Sequence, residues 1–90
     1  MIKLKGTLIC TSIEEADIIK KHLPLHIQLT KKEEGCLLFE VLQTQEPLVW
    51  TVNEIFRNQK AFDLHQIRTQ DSDWYQSTKH IKRNYEITNS

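Results

Sequence analysis

Glu54 and His65 are the side chains in this sequence whose types and spacing could carry out chemistry. Glu54 belongs to a run of strand-forming residues from Leu48 to Phe56, and alternation along that run places it on one face with Trp50 and Val52. His65 follows in a segment of helical spacing that turns it toward the sheet. A carboxyl and an imidazole in apolar surroundings are groups whose pKa values are commonly perturbed, and the imidazole could act as a general base near pH 7.

The helix that carries His65 is predicted from a cap and a spacing. Asn58 is a good N-cap residue, and behind it Ala61, Phe62 and His65 share one helix face. On the residues alone, a histidine on such a face is more often a hydrogen-bonded structural residue than a catalytic one.

Glu54 has a structural interpretation as well. A buried carboxylate needs a partner, and Arg57 or Arg68 could pair with it, or backbone donors could cap it. Its neighbour Asn53 points to the opposite face of the strand, so at most one of the two side chains can reach a cavity on the helix side.

Length and composition favour one cytosolic domain over residues 1–90. The 90 residues support only a thin core, and twelve basic against twelve acidic residues leave no basic stripe for nucleic acid. No apolar run approaches the roughly 20 residues of a membrane helix, and the start of the chain lacks a signal-peptide core. Cys10 and Cys36 lack C-x-x-C spacing and are expected to be reduced thiols. Residues 88–90 are expected to fray.

The hydrophobic pattern predicts the element order β-α-β-β-α-α-β, which fits an α+β, ferredoxin-like fold with an antiparallel sheet and helices on one face. Ser12 and Glu15 have capping-box spacing at the start of the first helix, whose apolar stripe begins at Ile13. Pro24 is expected to kink or restart that helix, and Gly6 marks a bulge or a close backbone approach in the first strand. The predicted strands cover 2–10, 36–43, 48–56 and 83–88, and the helices cover 13–32, 59–69 and a short segment around Trp74, Thr78 and Ile81.

The second strand is apolar on both faces. One face carries Leu37, Phe39 and Val41, and the other carries Cys36, Leu38 and Leu42. Helices can cover one face, whereas the other is most simply covered by the sheet of a second subunit. This strand therefore predicts a homodimer.

Two segments resemble the antibiotic biosynthesis monooxygenase family. The stretch from Thr30 to Val41 is similar to the family pattern of Thr, two variable residues, Glu, Pro, Gly, Cys and an aromatic strand. The stretch from Glu54 to His65 is similar to its strand-ending Glu followed by a helix with Ala-Phe and an inward His. Glu34 stands where the family has Pro, and Ile55-Phe56 replaces the common aromatic residue after the Glu.

The resemblance implies a dimeric α+β barrel with a small-molecule cavity between helices and sheet in each subunit. It implies a cofactor-independent monooxygenase that acts on a quinol or polycyclic phenol and uses no flavin, metal or haem. The family also contains haem-degrading and isomerase members, so the resemblance predicts the fold better than the substrate.

Chemistry of this kind requires a base, an apolar cavity and donors that hold an oxyanion. His65 is the candidate base. The other candidates are two orienting donors, three aromatic wall residues and an auxiliary carboxylate: Asn53, Arg68, Phe62, Trp74, Tyr75 and Glu54.

Two further functions stay open on the sequence. One is a binding or isomerase module for a small polar metabolite, and the other is an interaction domain whose cavity is filled by its own side chains. A deep apolar cavity that reaches His65 would favour oxygenation, whereas a small wet one rimmed by Arg68 and Lys79 would favour the module.

The remaining histidines are expected to be surface residues. His22 and His26 have the i, i+4 spacing of helical metal ligands, but Pro24 disturbs that helix and a third ligand is missing. His80 lies off the apolar stripe of its helix and at the wrong offset for the haem-binding relatives, which also carry a Trp where His65 stands here.

Overall fold

The computed structural model describes residues 1–90 as a four-stranded antiparallel sheet with three helices packed on one face. This confirms the predicted α+β, ferredoxin-like architecture. The strand order is β2-β3-β1-β4, and no helix has both the length and the apolar character needed to cross a bilayer. The elements are β1 (Ile2–Ile9), α1 (Ile13–Lys31), β2 (Cys36–Gln43), β3 (Val49–Phe56), α2 (Gln59–Gln70), α3 (Asp73–Thr78) and β4 (Lys82–Asn89).

Helix α1 begins at the predicted cap and continues past its proline. The Ser12 hydroxyl accepts a hydrogen bond from the Glu15 backbone N–H at 3.3 Å, and the Glu15 carboxylate reaches back to the backbone N–H of Thr11 at 2.7 Å. Pro24 lies inside the helix and does not end it, which corrects the expected restart. Ile13 is 56% exposed, so the buried stripe of α1 begins one turn later than predicted.

Strand β2 differs between its two faces. Phe39 and Val41 are buried under the helices, but a register shift between Cys36 and Leu38 turns Leu37 out to 53% exposure. The shift breaks the simple alternation that placed Leu37 with Phe39. The helices therefore leave the outer face of the sheet uncovered.

Gly6 allows β4 to approach β1 closely. A Cβ atom at this position would lie 2.0 Å from the carbonyl oxygen of Asn84 and 2.7 Å from Cδ1 of Tyr85. Gly6 is the cross-strand neighbour of both Tyr85 and Val52, so these residues share the helix-side face. The missing side chain therefore leaves room for the Tyr85 ring on the inner face of the sheet.

The chain ends also differ from expectation. Asn89 pairs with Ile2 and Thr88 with Lys3. Ser90 accepts a hydrogen bond from the terminal ammonium of Met1 at 2.9 Å. Thr88 and Asn89 thus belong to β4 instead of fraying, and Ser90 follows the strand.

Candidate functional site

A cavity of about 250 Å³ lies between the helices and the inner face of the sheet. Its floor includes Phe39, Glu54 and Leu4, which are cross-strand neighbours in one row of the sheet. Helix α2 contributes His65 and Thr69 to the wall. The predicted alternation in β3 is confirmed, since it is this face that presents Glu54 to the helices.

His65 is 2% exposed, and its two ring nitrogens have different surroundings. Nδ1 lies 2.7 Å from Oε1 of Glu33, and Nε2 lies 3.3 Å from the hydroxyl of Thr69 and 3.8 Å from Oε1 of Glu54. An ionised carboxylate can only accept hydrogen bonds, so Nδ1 carries the ring proton and donates a hydrogen bond to Glu33. In the neutral ring, Nε2 is then the unprotonated nitrogen.

Glu33 is itself held by an arginine. Its second oxygen, Oε2, accepts a hydrogen bond from Nε of Arg68 at 2.8 Å, and Nη2 of Arg68 donates to the hydroxyl of Thr30 at 2.8 Å. Charge-assisted hydrogen bonds of this length fix the carboxylate in position. The network therefore sets both the orientation and the tautomer of the His65 ring.

The surroundings of His65 favour its neutral form. Burial lowers the pKa of His65, the hydrogen bond and charge of Glu33 oppose that shift, and the charge of Arg68 adds to it. The net direction is downward, so the imidazole is unprotonated at neutral pH and Nε2 can accept a proton. Geometry and protonation state together suit His65 to the role of a general base.

Glu54 is a buried carboxyl group without a partner. It is 7% exposed, and its Oε1 has no hydrogen bond. Burial, and secondly the charge of Glu33, raise the pKa of Glu54 to about 7. The expected pairing with an arginine is wrong, because Arg57 lies against Glu34 and Arg68 against Glu33.

His26 is also buried, which corrects its prediction as a surface residue. It is 4% exposed, stacks on Trp74 with ring centroids 5.0 Å apart, and meets the Phe39 ring edge-on at 5.3 Å. Burial, followed by the charges of His65 and of nearby arginines, lowers the pKa of His26 to about 3. It therefore lines the cavity as a neutral aromatic ring.

His80 lies at the surface of the protein. His80 has a side chain that is 54% exposed and lies 3.3 Å from a carboxylate oxygen of Glu15, which agrees with its predicted place at the surface. No three His, Cys, Asp or Glu side chains converge as a metal site would require.

Residues 12–83 match one family model, antibiotic biosynthesis monooxygenase. The chain belongs to the antibiotic biosynthesis monooxygenase family. The match spans α1, the cavity-lining strands β2 and β3, α2 and α3, and therefore every residue of the His65 network.

Solved structures show the same fold. A candidate antibiotic biosynthesis monooxygenase from Deinococcus radiodurans is 26% identical, with a TM-score of 0.81 and coverage of 100% of this chain and 92% of that one. A second candidate from Nitrosomonas europaea is 14% identical, with a TM-score of 0.81 and coverage of 100% and 98%. A conserved protein from Methanosarcina mazei is 21% identical, with a TM-score of 0.76 and coverage of 97% and 89%. No curated protein matches the chain.

The structure brings some of the predicted site residues of this family member together and separates others. His65, Glu54, Trp74 and Tyr75 all line the cavity. The remaining three candidates do not line this cavity. Asn53 lies on the outer face of β3. Phe62 packs in the core, with its ring centroid 5.6 Å from that of Phe56. Arg68 is hydrogen-bonded to the Glu33 carboxylate.

Glu33 in the network and Tyr85 in the cavity are two residues that were not predicted from the sequence. Glu33 was visible only as the fourth residue of the family pattern that starts at Thr30, and its role emerges from its contact with His65. Tyr85 reaches the cavity because Gly6 leaves space for it. Residue Tyr85 is 39% exposed, but desolvation raises the pKa of its phenol to about 12, so the phenol keeps its proton at neutral pH.

Proposed function

We propose that this protein is a cofactor-independent monooxygenase that acts on a quinol or polycyclic phenol, with His65 as the base. One observation carries the proposal: a buried, neutral imidazole, whose Nδ1 is held by Glu33 at 2.7 Å, has its unprotonated Nε2 next to a half-apolar cavity. Family membership supports the reaction type.

The reaction begins with proton removal. Ground-state oxygen reacts slowly with closed-shell molecules, but a hydroquinone anion can transfer one electron to it. His65 Nε2 takes a proton from a substrate hydroxyl, and the ring then carries a proton on each nitrogen. The neighbouring Glu33 carboxylate stabilises that imidazolium at 2.7 Å.

Oxygen transfer then follows without an external reductant. One electron passes from the anion to O₂, the two radicals combine to form a C–O bond, and the O–O bond breaks. A naphthalene-1,4-diol and O₂ would give a 2-hydroxy-1,4-naphthoquinone and water, so that the four electrons that reduce O₂ all come from the substrate. The protein supplies proton transfer, orientation and exclusion of water.

The shape of the cavity supports oxygenation over a binding or isomerase module. Half of its lining residues are hydrophobic, it reaches His65, and neither Arg68 nor Lys79 lines it. A volume of about 250 Å³ lies just below the roughly 300–1,000 Å³ that is usual for ligand sites, which limits a substrate to one or two rings. The ring stack of His26 on Trp74 offers such a substrate a flat aromatic wall.

Oxygen consumption with a panel of hydroquinones tests this proposal. The protein, stripped of metals by a chelator, should consume O₂ with at least one naphthalene-diol or benzene-diol and form a hydroxylated quinone. Incorporation of one ¹⁸O atom from ¹⁸O₂ into the product distinguishes oxygenation from simple oxidation to the quinone. Oxygen uptake no faster than in buffer across the panel would refute the proposal and leave the small-metabolite module as the better account.

We also propose that the protein is a homodimer whose two sheets pack outer face to outer face. Leu42 on the outer face of β2 is 57% exposed, in a strand whose inner face is already covered. Leu42→Asp should convert the dimer to a monomer in sedimentation-equilibrium experiments, because it buries a charge in the contact. Leu64→Asp is a matched control, since Leu64 is also 57% exposed but lies on helix α2. A monomeric wild type, or a Leu42→Asp dimer, would contradict this arrangement.

A cytosolic location is proposed with it. Cys10 is buried and Cys36 is half-buried, and both are free thiols, which suits a reducing compartment.

A further inference from the structure

His65 separates two spaces in the protein. On one side lies the cavity described above, and on the other lies a cleft of about 460 Å³ near the end of α1 and the start of α2. Glu33, Arg57 and Lys60 line this outer cleft, and none of them lines the cavity. His65 is the one residue that lines both spaces.

The two ring nitrogens of His65 have neighbours in different spaces. Nε2 has Thr69 and Glu54 as neighbours, and both of these line the cavity. Nδ1 is bonded to Glu33, which lines the outer cleft and has a side chain 21% exposed. The ring and the carboxylate therefore connect the cavity, where a substrate would bind, to a second space that water can reach.

We propose that His65 and Glu33 form a proton relay between the cavity and the outer cleft, with Glu33 as a positioning residue that also exchanges the proton with water. This inference rests on the proposed function for its physiological role. A substrate proton binds to Nε2, the Nδ1 proton moves to Oε1 of Glu33, and Glu33 releases it to water. The path runs in reverse when O–O cleavage forms water, so no net proton is gained or lost.

The surroundings of the His65 ring favour passing a proton on to water over holding it. Burial disfavours a ring that holds two protons. Arg68 is bonded to Glu33, and its positive charge opposes an additional proton on the ring and on Glu33 alike. On the cavity side, Glu54 at 3.8 Å and the neutral ring of His26 at 5.9 Å complete the titratable surroundings. A proton taken at Nε2 is therefore retained neither on the ring nor on Glu33, and it passes through the partly exposed carboxylate to water.

Glu33→Gln and Glu33→Ala test the relay with the full-length protein and a hydroquinone that the wild type turns over. Glu33→Gln keeps an oxygen acceptor for Nδ1 but cannot take up a proton, so kcat should fall about 10-fold or more while KM changes less than about two-fold. Glu33→Ala should show a similar loss and should be rescued by added formate, acetate or imidazole entering the open cleft. Rescue should increase with the basicity of the added buffer. Glu34→Gln is the control, because it removes the same charge from the same cleft at a side chain that is 93% exposed.

A measurement without substrate separates the relay from the proposed reaction. In ¹⁵N NMR spectra of the free protein, His65 should be protonated on Nδ1, and that proton should exchange with water at least about 10-fold faster in wild type than in Glu33→Gln. Full kcat in Glu33→Gln, rescue that ignores buffer basicity, or equal exchange rates would overturn the relay. If no hydroquinone reacts, the oxygenase proposal fails, and the tautomer and exchange rates still decide the relay.

Discussion

His65→Gln should lower the rate of oxygen uptake with a reactive hydroquinone by about 10²–10⁴-fold, the range typical of losing a general base. The amide fills much of the volume of the ring, but it has no nitrogen that can take up a proton. His65→Ala should abolish uptake as well, and it should also cost about 2–5 kcal/mol of stability by opening a cavity beside Phe56, whose ring centroid is 4.8 Å away.

The pH dependence gives this prediction a second readout. Because the pKa of His65 is lowered from 6.5, the wild-type kcat/KM should be constant near neutral pH and fall only when the pH drops below that lowered pKa. His80→Gln removes a histidine that is exposed at the surface and should leave rate and profile unchanged. Wild-type turnover by a folded His65→Gln variant would remove His65 from the mechanism.

The type and order of every element could be predicted because each has a local signal. Ser12, Asn58 and Ser72 each accept a hydrogen bond from the backbone N–H three residues later, which is the cap geometry their side chains favour. Pro24 shows where a local signal fails. Its missing hydrogen bond is outweighed by burial of α1 against the sheet, which continues beyond it through His26.

Part of the site could be predicted because local signals also decide which way some side chains point. Alternation correctly places Glu54 inward and Asn53 outward, since a strand side chain has only two directions. The partner of His65 could not be found this way, because Glu33 lies 32 residues away in sequence and meets the ring only in the folded protein. Burial of His26 likewise depends on Trp74, which reaches it from another helix.

Two buried groups give the protein opposite pH dependences. For Glu54, the folded pKa of about 7 lies above the ordinary 4.5, so the folded state retains a proton that the unfolded chain has lost, and stability falls as the pH rises through this window. For His26, the folded pKa of about 3 lies below 6.5, so stability falls as the pH drops through that window. The two slopes oppose each other between pH 4.5 and 6.5.

The variant Glu54→Gln isolates the loss of stability that accompanies rising pH. The displacement of the Glu54 pKa from 4.5 to about 7 corresponds to roughly 3 kcal/mol. The free energy of unfolding of the variant, relative to wild type, should therefore rise by about 3 kcal/mol between pH 4.5 and pH 8. In thermal unfolding followed by circular dichroism, this should appear as a difference in Tm that grows by on the order of 10 °C or more over the same range.

The Glu54→Gln experiment has a matched control elsewhere on the chain. Glu46→Gln removes a carboxylate from the exposed turn between β2 and β3 and should give a difference from wild type that does not change with pH. If the Glu54→Gln difference is equally flat, Glu54 is ionised in the folded protein well below pH 7. Its unbonded Oε1 would then need a donor that holds the charge, and the cavity next to Nε2 of His65 would be a wetter and more polar site than a quinol-binding pocket requires.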